Sequence, residues 1–430
     1  MFKNKLIQSR FLKNIMTVSL GVVVSKIITL ITMPLITRMY GVEPFSNLAI
    51  FSGLLILFIS TSTLSLSSAI PLPKERDEAF GVFHAAIKVC VFYSLAIFLL
   101  IFSLVKVGLL STHFSQIGFL LFLIPVAVLA NGLSTSIVKL LSREQQFRNL
   151  AKSDILANFY RAMMRLGLGF VHPKTGVLIF TEVTYESVKS IFLVSRLKLA
   201  LPDYYQQILL TRKKIKKIDV FVIAKKYKSF IIYQTPQKFI KSAGKAFPIL
   251  IVAGSYGAEH AAYYVLALSM LAVFGDLISR SVGLVYYPRF NKAYYERDKF
   301  KDVYFLTTFL MSLCGLGVFI AISIAGTSWV GVIFGEDWSS AGEMFFWMAI
   351  YLFFHLVKIP STHSSPALKE QPMLLLIEAM SSILRIFGLI IAIWFGASPS
   401  DAVGMSIVLC ILPYIAFVAI ISKKIIALDK

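Results

Sequence analysis

The chain has 430 residues, of which 57% are apolar and only 15% charged, with a mean hydropathy of +0.77. That balance excludes an ordinary soluble globular domain and reads as a polytopic membrane protein. A formal charge of +21 would suggest nucleic acid in a soluble protein, but here it follows the connecting loops.

Crossing the hydrocarbon core takes about 20 mostly apolar residues. Twelve stretches qualify: roughly 11–39, 45–70, 82–108, 116–141, 151–171, 175–196, 229–255, 259–288, 302–327, 341–363, 372–396 and 402–423. The fifth, sixth and seventh are weakest, because ionisable residues interrupt them. The first has no small-residue cleavage site behind a short apolar core, so it reads as an uncleaved helix. Cys90, Cys314 and Cys410 fall inside spans and read as small packing residues, with no disulfide expected. The six histidines are scattered, and no metal-ligand spacing occurs. Neither a metal nor another cofactor is expected.

With the N-terminus in the cytoplasm, alternation through twelve spans puts 29 Lys and Arg on that side and 3 (Arg38, Lys106, Lys174) on the other. This obeys the positive-inside rule and places both termini in the cytoplasm. Spreading the basic residues over short loops beside anionic lipid argues against a nucleic-acid partner and for membrane lipids. The basic stretch 204–228 is expected to lie along the inner surface.

The one long connection falls at the chain's midpoint. Tyr40-Gly41 and Glu43 recur as Tyr256-Gly257 and Glu259, 216 residues later, with an apolar helix following each. Pro34 and Pro248 precede the two turns, and a helix break is expected at each, together with Gly244 in the second. The halves therefore predict an all-α protein of two six-helix lobes related by a parallel repeat: 1–200, a basic linker 201–228, and 229–430. Repeats of this kind hold substrate near the midplane, between the lobes.

Several loop motifs occupy matching topological positions: PLPKERDEA (71–79), LLSREQQFRNLAKSDIL (140–156), FGEDWSSAGEMF (334–345) and LKEQPMLLLIEAMSSILRI (368–386). With the Tyr-Gly-x-Glu turn, they resemble the Wzx-type flippases of bacterial polysaccharide and O-antigen synthesis, relatives of the MATE exporters and MurJ-type flippases. The resemblance implies a MATE-like helical transporter of the bacterial inner membrane. It would move an undecaprenyl-pyrophosphate-linked oligosaccharide repeat to the periplasmic leaflet, for O-antigen, capsule or exopolysaccharide. A polysaccharide polymerase and a chain-length regulator would be its partners. The alternatives are a MATE-like small-molecule exporter and a membrane-embedded polymerase. An enzyme should present a sizeable external loop with catalytic residues, and the longest here, 328–340, has only Glu336 and Asp337 as charges. No enzyme is expected.

Eleven cations fall within spans: Lys26, Lys88, Arg161, Arg165, Lys189, Lys238, Lys241, Lys245, Arg280, Lys358 and Arg385. Only Glu182, Glu186, Asp276 and Glu378 lie clearly at similar depth to balance them. Each such charge must find a partner, water or a ligand. About Pro173, Arg165 lies 8 residues back and Glu182 lies 9 forward, while Arg161 and Glu186 lie 12 back and 13 forward. Equal depth predicts the ion pairs Arg165–Glu182 and Arg161–Glu186. Asp276 and Arg280, four apart, are expected to pair, and Glu378 to share a network with Arg385. Lys88, Lys189 and Lys358 lie near enough to the cytoplasmic side to snorkel.

Lys26, Lys238, Lys241 and Lys245 remain. At 100° per residue, 238, 241 and 245 fall within roughly a 60° arc, with no acid within four residues. Lys26 and Lys245 lie roughly 22 and 24 Å along their spans at 1.5 Å per residue. A lysine stripe without a local acid predicts a wet cavity receiving an anion, and lysine suits phosphate as a mobile point charge. These four with Arg280 are the candidate substrate-binding residues. Asp276 and Glu378 are the candidate ion-coupling carboxylates.

Overall fold

A computed structural model describes residues 2–107, 117–200, 202, 204–206, 220–325 and 328–428, with side chains from residue 21 onward except at 200 and 284. Among these the chain is helical and contains no strand. Twelve long helices take the places of the twelve expected spans: α1 Phe2–Tyr40, α2 Val42–Ile59, α3 Arg76–Lys106, α4 Ile124–Arg143, α5 Phe147–Val171, α6 Thr175–Ala200, α7 Thr235–Tyr256, α8 Ala258–Glu296, α9 Phe300–Ala325, α10 Ala341–Ser364, α11 Gln371–Trp394 and α12 Pro399–Leu428. Nine helices among the described residues are long and apolar enough to cross a membrane, and α5, α6 and α7 are not among them. Their ionisable residues lower their hydropathy, as the sequence indicates.

The Tyr-Gly-x-Glu repeat has a physical basis. Gly41 ends α1 with φ of 68°, and Gly257 ends α7 with φ of 97°. Both lie in the region that side chains disfavour, so glycine sets each reversal. Glu43 and Glu259 then sit in the first turns of α2 and α8, where the helix dipole favours an acid.

Several boundaries differ from expectation. The second span was expected to continue to residue 70, but α2 ends at Ile59 and a 3-10 turn covers Leu66–Ala69. Ser60 and Thr61 hydroxyls donate to the Leu57 and Phe58 carbonyls, and Leu64 and Ser65 adopt positive φ. A Ser/Thr run competes in this way with helical hydrogen bonding. Conversely, α7 runs unbroken through Gly244 and Pro248. Gly244 serves contact: a β-carbon there would stand 2.5 Å from Ser382 Cβ on α11. Of the basic linker, Val220–Lys226 is a short helix, while its most basic part, 211–217, lies outside the described residues.

The chain divides into two compact units, Met1–Thr32 with Phe51–Ser242, and Met33–Ile50 with Ala243–Lys430. In unit 1, α3 packs on α4, and α6 on both α4 and α5. Its core gathers Phe80, Phe83, Leu140, Leu141, Leu193 and Leu197. The short helix is anchored there too, because Lys226 and Tyr227 both donate to Glu78 Oε1. Burial and that bond push the Tyr227 phenol up to about 12.

In unit 2, α8, α9 and α12 surround α10, and α12 also packs on α11. Small residues permit close approach, the usual device between membrane helices. A β-carbon on Gly388 would meet Ser406 Cα at 2.7 Å, and Ser406 Oγ donates to Arg385 O at 2.8 Å. Large apolar side chains point outward instead: Phe92, Leu95 and Leu99 on α3, Leu306, Phe309 and Leu313 on α9. In water such a surface would aggregate; against lipid it is solvated.

Candidate functional site

The lysine face of α7 keeps its geometry. Lys241 and Lys245 are exposed and form no ion pair among the described residues. Lys238 is half-buried and donates to Ser68 Oγ at 3.0 Å, a neutral partner that leaves its charge uncompensated. Ser68 stands in the 3-10 turn that follows the early end of α2. Lys26 is half-buried on α1. Arg280 is exposed on α8 and makes no ion pair with Asp276, against expectation. An exposed arginine gains little from an i,i+4 carboxylate, about 0.3–0.5 kcal/mol.

Four other intramembrane cations, Arg161, Arg165, Lys189 and Lys358, are neutralised by carboxylates. Arg165 Nη2 meets Glu182 Oε2 at 2.6 Å, and Arg161 Nη1 meets the same carboxylate at 3.2 Å from each oxygen. Arg161 therefore does not pair with Glu186. Residues 161 and 165 share a helix face, so one carboxylate between them serves both. Glu186 Oε2 is sealed without a hydrogen bond among the described residues. Arg161 also stacks over Tyr185, 4.4 Å from the ring centroid.

Two lysines expected to snorkel are instead held in ion pairs. Lys189 Nζ lies 2.8 Å from Asp154 Oδ1. Lys358, 3% exposed, lies 2.5 Å from Glu378 Oε1 and 3.6 Å over the Tyr414 ring. A carboxylate and an aromatic face within reach stabilise the ammonium without the long path to water. The direct ion pair of Glu378 is thus with Lys358 rather than with Arg385. Arg385, 6% exposed, stacks 4.4 Å over Tyr351, and its Nη2 donates to Cys410 Sγ at 3.5 Å. Glu378 thus carries a resident ammonium, which makes it a poor seat for a second cation.

Within unit 2 a further feature escaped the sequence reading. Arg38, near the end of α1, donates through Nε to Ile333 O at 3.0 Å and through Nη2 to Val332 O. It thereby caps the short helix Ser328–Phe334. Trp338, fully buried, donates to Thr37 O at 3.3 Å and packs edge-on against Phe45 at 5.3 Å. Position 38 alone, an arginine on the expected external side near GEDW, was the only available signal.

Comparison with solved structures places this geometry. An inward-facing multidrug resistance MATE family transporter of the MOP superfamily superposes with a TM-score of 0.72 at 13% identity, covering 93% of this chain and 95% of that one. The lipid II flippase MurJ, in an inward closed conformation, gives 0.67 at 15% identity, covering 95% and 90%. A MOP superfamily transporter from Pyrococcus furiosus gives 0.54 at 12% identity, covering 97% of each chain. At these identities the likeness establishes the fold. No curated protein matches the chain in sequence. Residues 35–343, however, match a family described as polysaccharide biosynthesis protein. That span takes in most of the helices described above, the Tyr-Gly-x-Glu turns and the α7 lysines, and the chain, which shares the fold of the MATE and MurJ structures, belongs to the polysaccharide biosynthesis protein family.

Proposed function

We propose that the protein is a flippase carrying undecaprenyl-pyrophosphate-linked oligosaccharide repeat units from the cytoplasmic to the periplasmic leaflet of a bacterial inner membrane, by alternating access of two six-helix lobes. O-antigen, capsule or exopolysaccharide synthesis would consume the product. The observation that carries this reading is the contrast among intramembrane cations. Arg161, Arg165, Lys189 and Lys358 each have a carboxylate within 4 Å, whereas Lys241 and Lys245 stand exposed with none among the described residues. Unneutralised ammonium groups at membrane depth suit an anionic headgroup. A pyrophosphate supplies that charge while its lipid tail remains in the bilayer. Lys26, Lys238 and Arg280 add positive charge along the route.

Deleting the gene should abolish surface polysaccharide and leave lipid-linked repeat units on the cytoplasmic leaflet, detectable by mass spectrometry of extracted lipids. Normal surface polysaccharide in the deletion strain would sink the reading and favour the small-molecule exporter, which shares the fold. Orientation has its own check. Reporter fusions at residue 228 and residue 335 should signal opposite compartments, cytoplasmic for the first; the same compartment at both would overturn the twelve-span topology.

A further inference from the structure

Two histidines of α10 and two glycines of α8 are spaced alike. His355 packs on Gly275, where a β-carbon would stand 3.5 Å from the ring Cδ2, and His363 packs on Gly283, where the corresponding distance to Cε1 is 2.6 Å. Both pairs are eight residues apart, close to two turns and about 12 Å of helical rise. In each ring one nitrogen is sealed from solvent with no hydrogen bond among the described residues: Nδ1 of His355 and Nε2 of His363. Leaving a buried polar atom unpartnered costs about 1–3 kcal/mol, so each orphan calls for a physical reason.

Their surroundings differ. His363 faces the Ser279 backbone. His355 stacks on Tyr351 at 5.9 Å and lies in the field of four charged groups: Lys358 of its own helix, Asp276 of α8, and Glu378 and Arg385 of α11. From α12, Tyr414 lies beneath the Lys358 ammonium. The remaining neighbour, α9, brings Gly315 against Phe353, and its charged residues, Lys301 and Asp302, both lie in its first turn. One anion of this group, Glu378, is already engaged by Lys358 at 2.5 Å.

We propose that His355 is a proton-driven switch in unit 2, seated on Gly275 while neutral and displaced from that seat when protonated. A neutral imidazole has one N–H and one lone pair; taking a proton from water fills the lone pair and makes both nitrogens donors. Protonation would place a donor and a charge on a ring whose Nδ1 is sealed without an acceptor among the described residues, which disfavours the seat formed by Gly275 and Leu352. The carboxylates in its field are Asp276 and Glu378, and engaging Glu378 means competing with Lys358. Either move shifts α10 against α8, where the glycine notch leaves room. A protonation event is thereby converted into a helix displacement. The device stands independently of which substrate is carried.

Trp347 reports on this helix. It lies eight residues before His355 on α10 and packs into Gly404 of α12, where a β-carbon would come within 2.3 Å of its ring. The purified protein in lipid nanodiscs, without substrate, is titrated from pH 4 to 8 while tryptophan fluorescence is followed. The wild type should show a reversible transition that His355→Gln loses and His363→Gln keeps. Gly275→Ala crowds the neutral seat, with Leu352 Cδ1 3.2 Å from the new methyl, and should move the midpoint to higher pH. Absence of a wild-type transition, its survival in His355→Gln, or equal loss in both histidine variants overturns the proposal. Should His355→Gln fail to fold, the Gly275→Ala midpoint decides alone, and an unchanged value overturns it.

Discussion

Replacing Lys241 or Lys245 with Gln is expected to abolish complementation of a flippase-deficient strain while leaving the amount of inserted protein unchanged. Both side chains are exposed and make no ion pair among the described residues, so neutralising them strands no partner and should leave folding intact. The loss falls on the substrate. A hydrogen bond to a charged group contributes about 1.5–3 kcal/mol, and each 1.4 kcal/mol is about tenfold. One lost lysine should therefore weaken pyrophosphate binding by about tenfold or more. Arg at either position keeps the charge and should retain more activity than Gln. Lys238→Gln should be milder, since this ammonium already donates to Ser68. Full complementation by both Gln variants at native expression level would show that the lysine face does not handle substrate.

Glu182→Gln should have the opposite signature, a loss of protein before any loss of transport. One carboxylate neutralises two guanidiniums there, with Arg165 at 2.6 Å and Arg161 at 3.2 Å. Removing one partner from a buried pair costs about 3–5 kcal/mol, and here two cations lose it together. The inserted amount and the detergent melting temperature should both fall sharply. Adding Arg165→Met and Arg161→Gln to Glu182→Gln should recover part of the loss. Additive losses, or a Glu182→Gln protein as stable as wild type, would show that the cluster does not hold α5 to α6.

The hairpin cluster was legible because equal depth about a turn is a property of sequence spacing. The same count about Leu368 places Lys358 ten residues back and Glu378 ten forward, which is the pair the structure forms. That pair was missed because loop proximity made snorkelling look cheaper than pairing. Arg161 was assigned the wrong carboxylate for a related reason: depth restricts partners, but only helix rotation selects between Glu182 and Glu186. The uninterrupted course of α7 was illegible because Gly and Pro carry two meanings in a membrane helix. At Gly244 the missing side chain admits Ser382 rather than freeing the backbone, and the sequence cannot announce which neighbour will arrive. The twelve spans and the Tyr-Gly-x-Glu repeat rest on hydropathy and on positive φ, both local, and they could be read without that knowledge.

Unit 2 includes Met33–Ile50 beside Ala243–Lys430, and this has a consequence for biosynthesis. The first segment leaves the ribosome long before its partners exist. About 290 residues separate Phe45 from Trp338, which at about 5–20 residues per second is roughly 15–60 s of synthesis. Throughout that interval Thr37 and Arg38 lack the indole and the helix end that later engage them. The insertion machinery must therefore hold an unfinished hairpin in reserve. A gene cut at residue 243 would yield a first product with all of unit 1 and a second that lacks Met33–Ile50, so the second half can complete its interior only when the first is co-expressed.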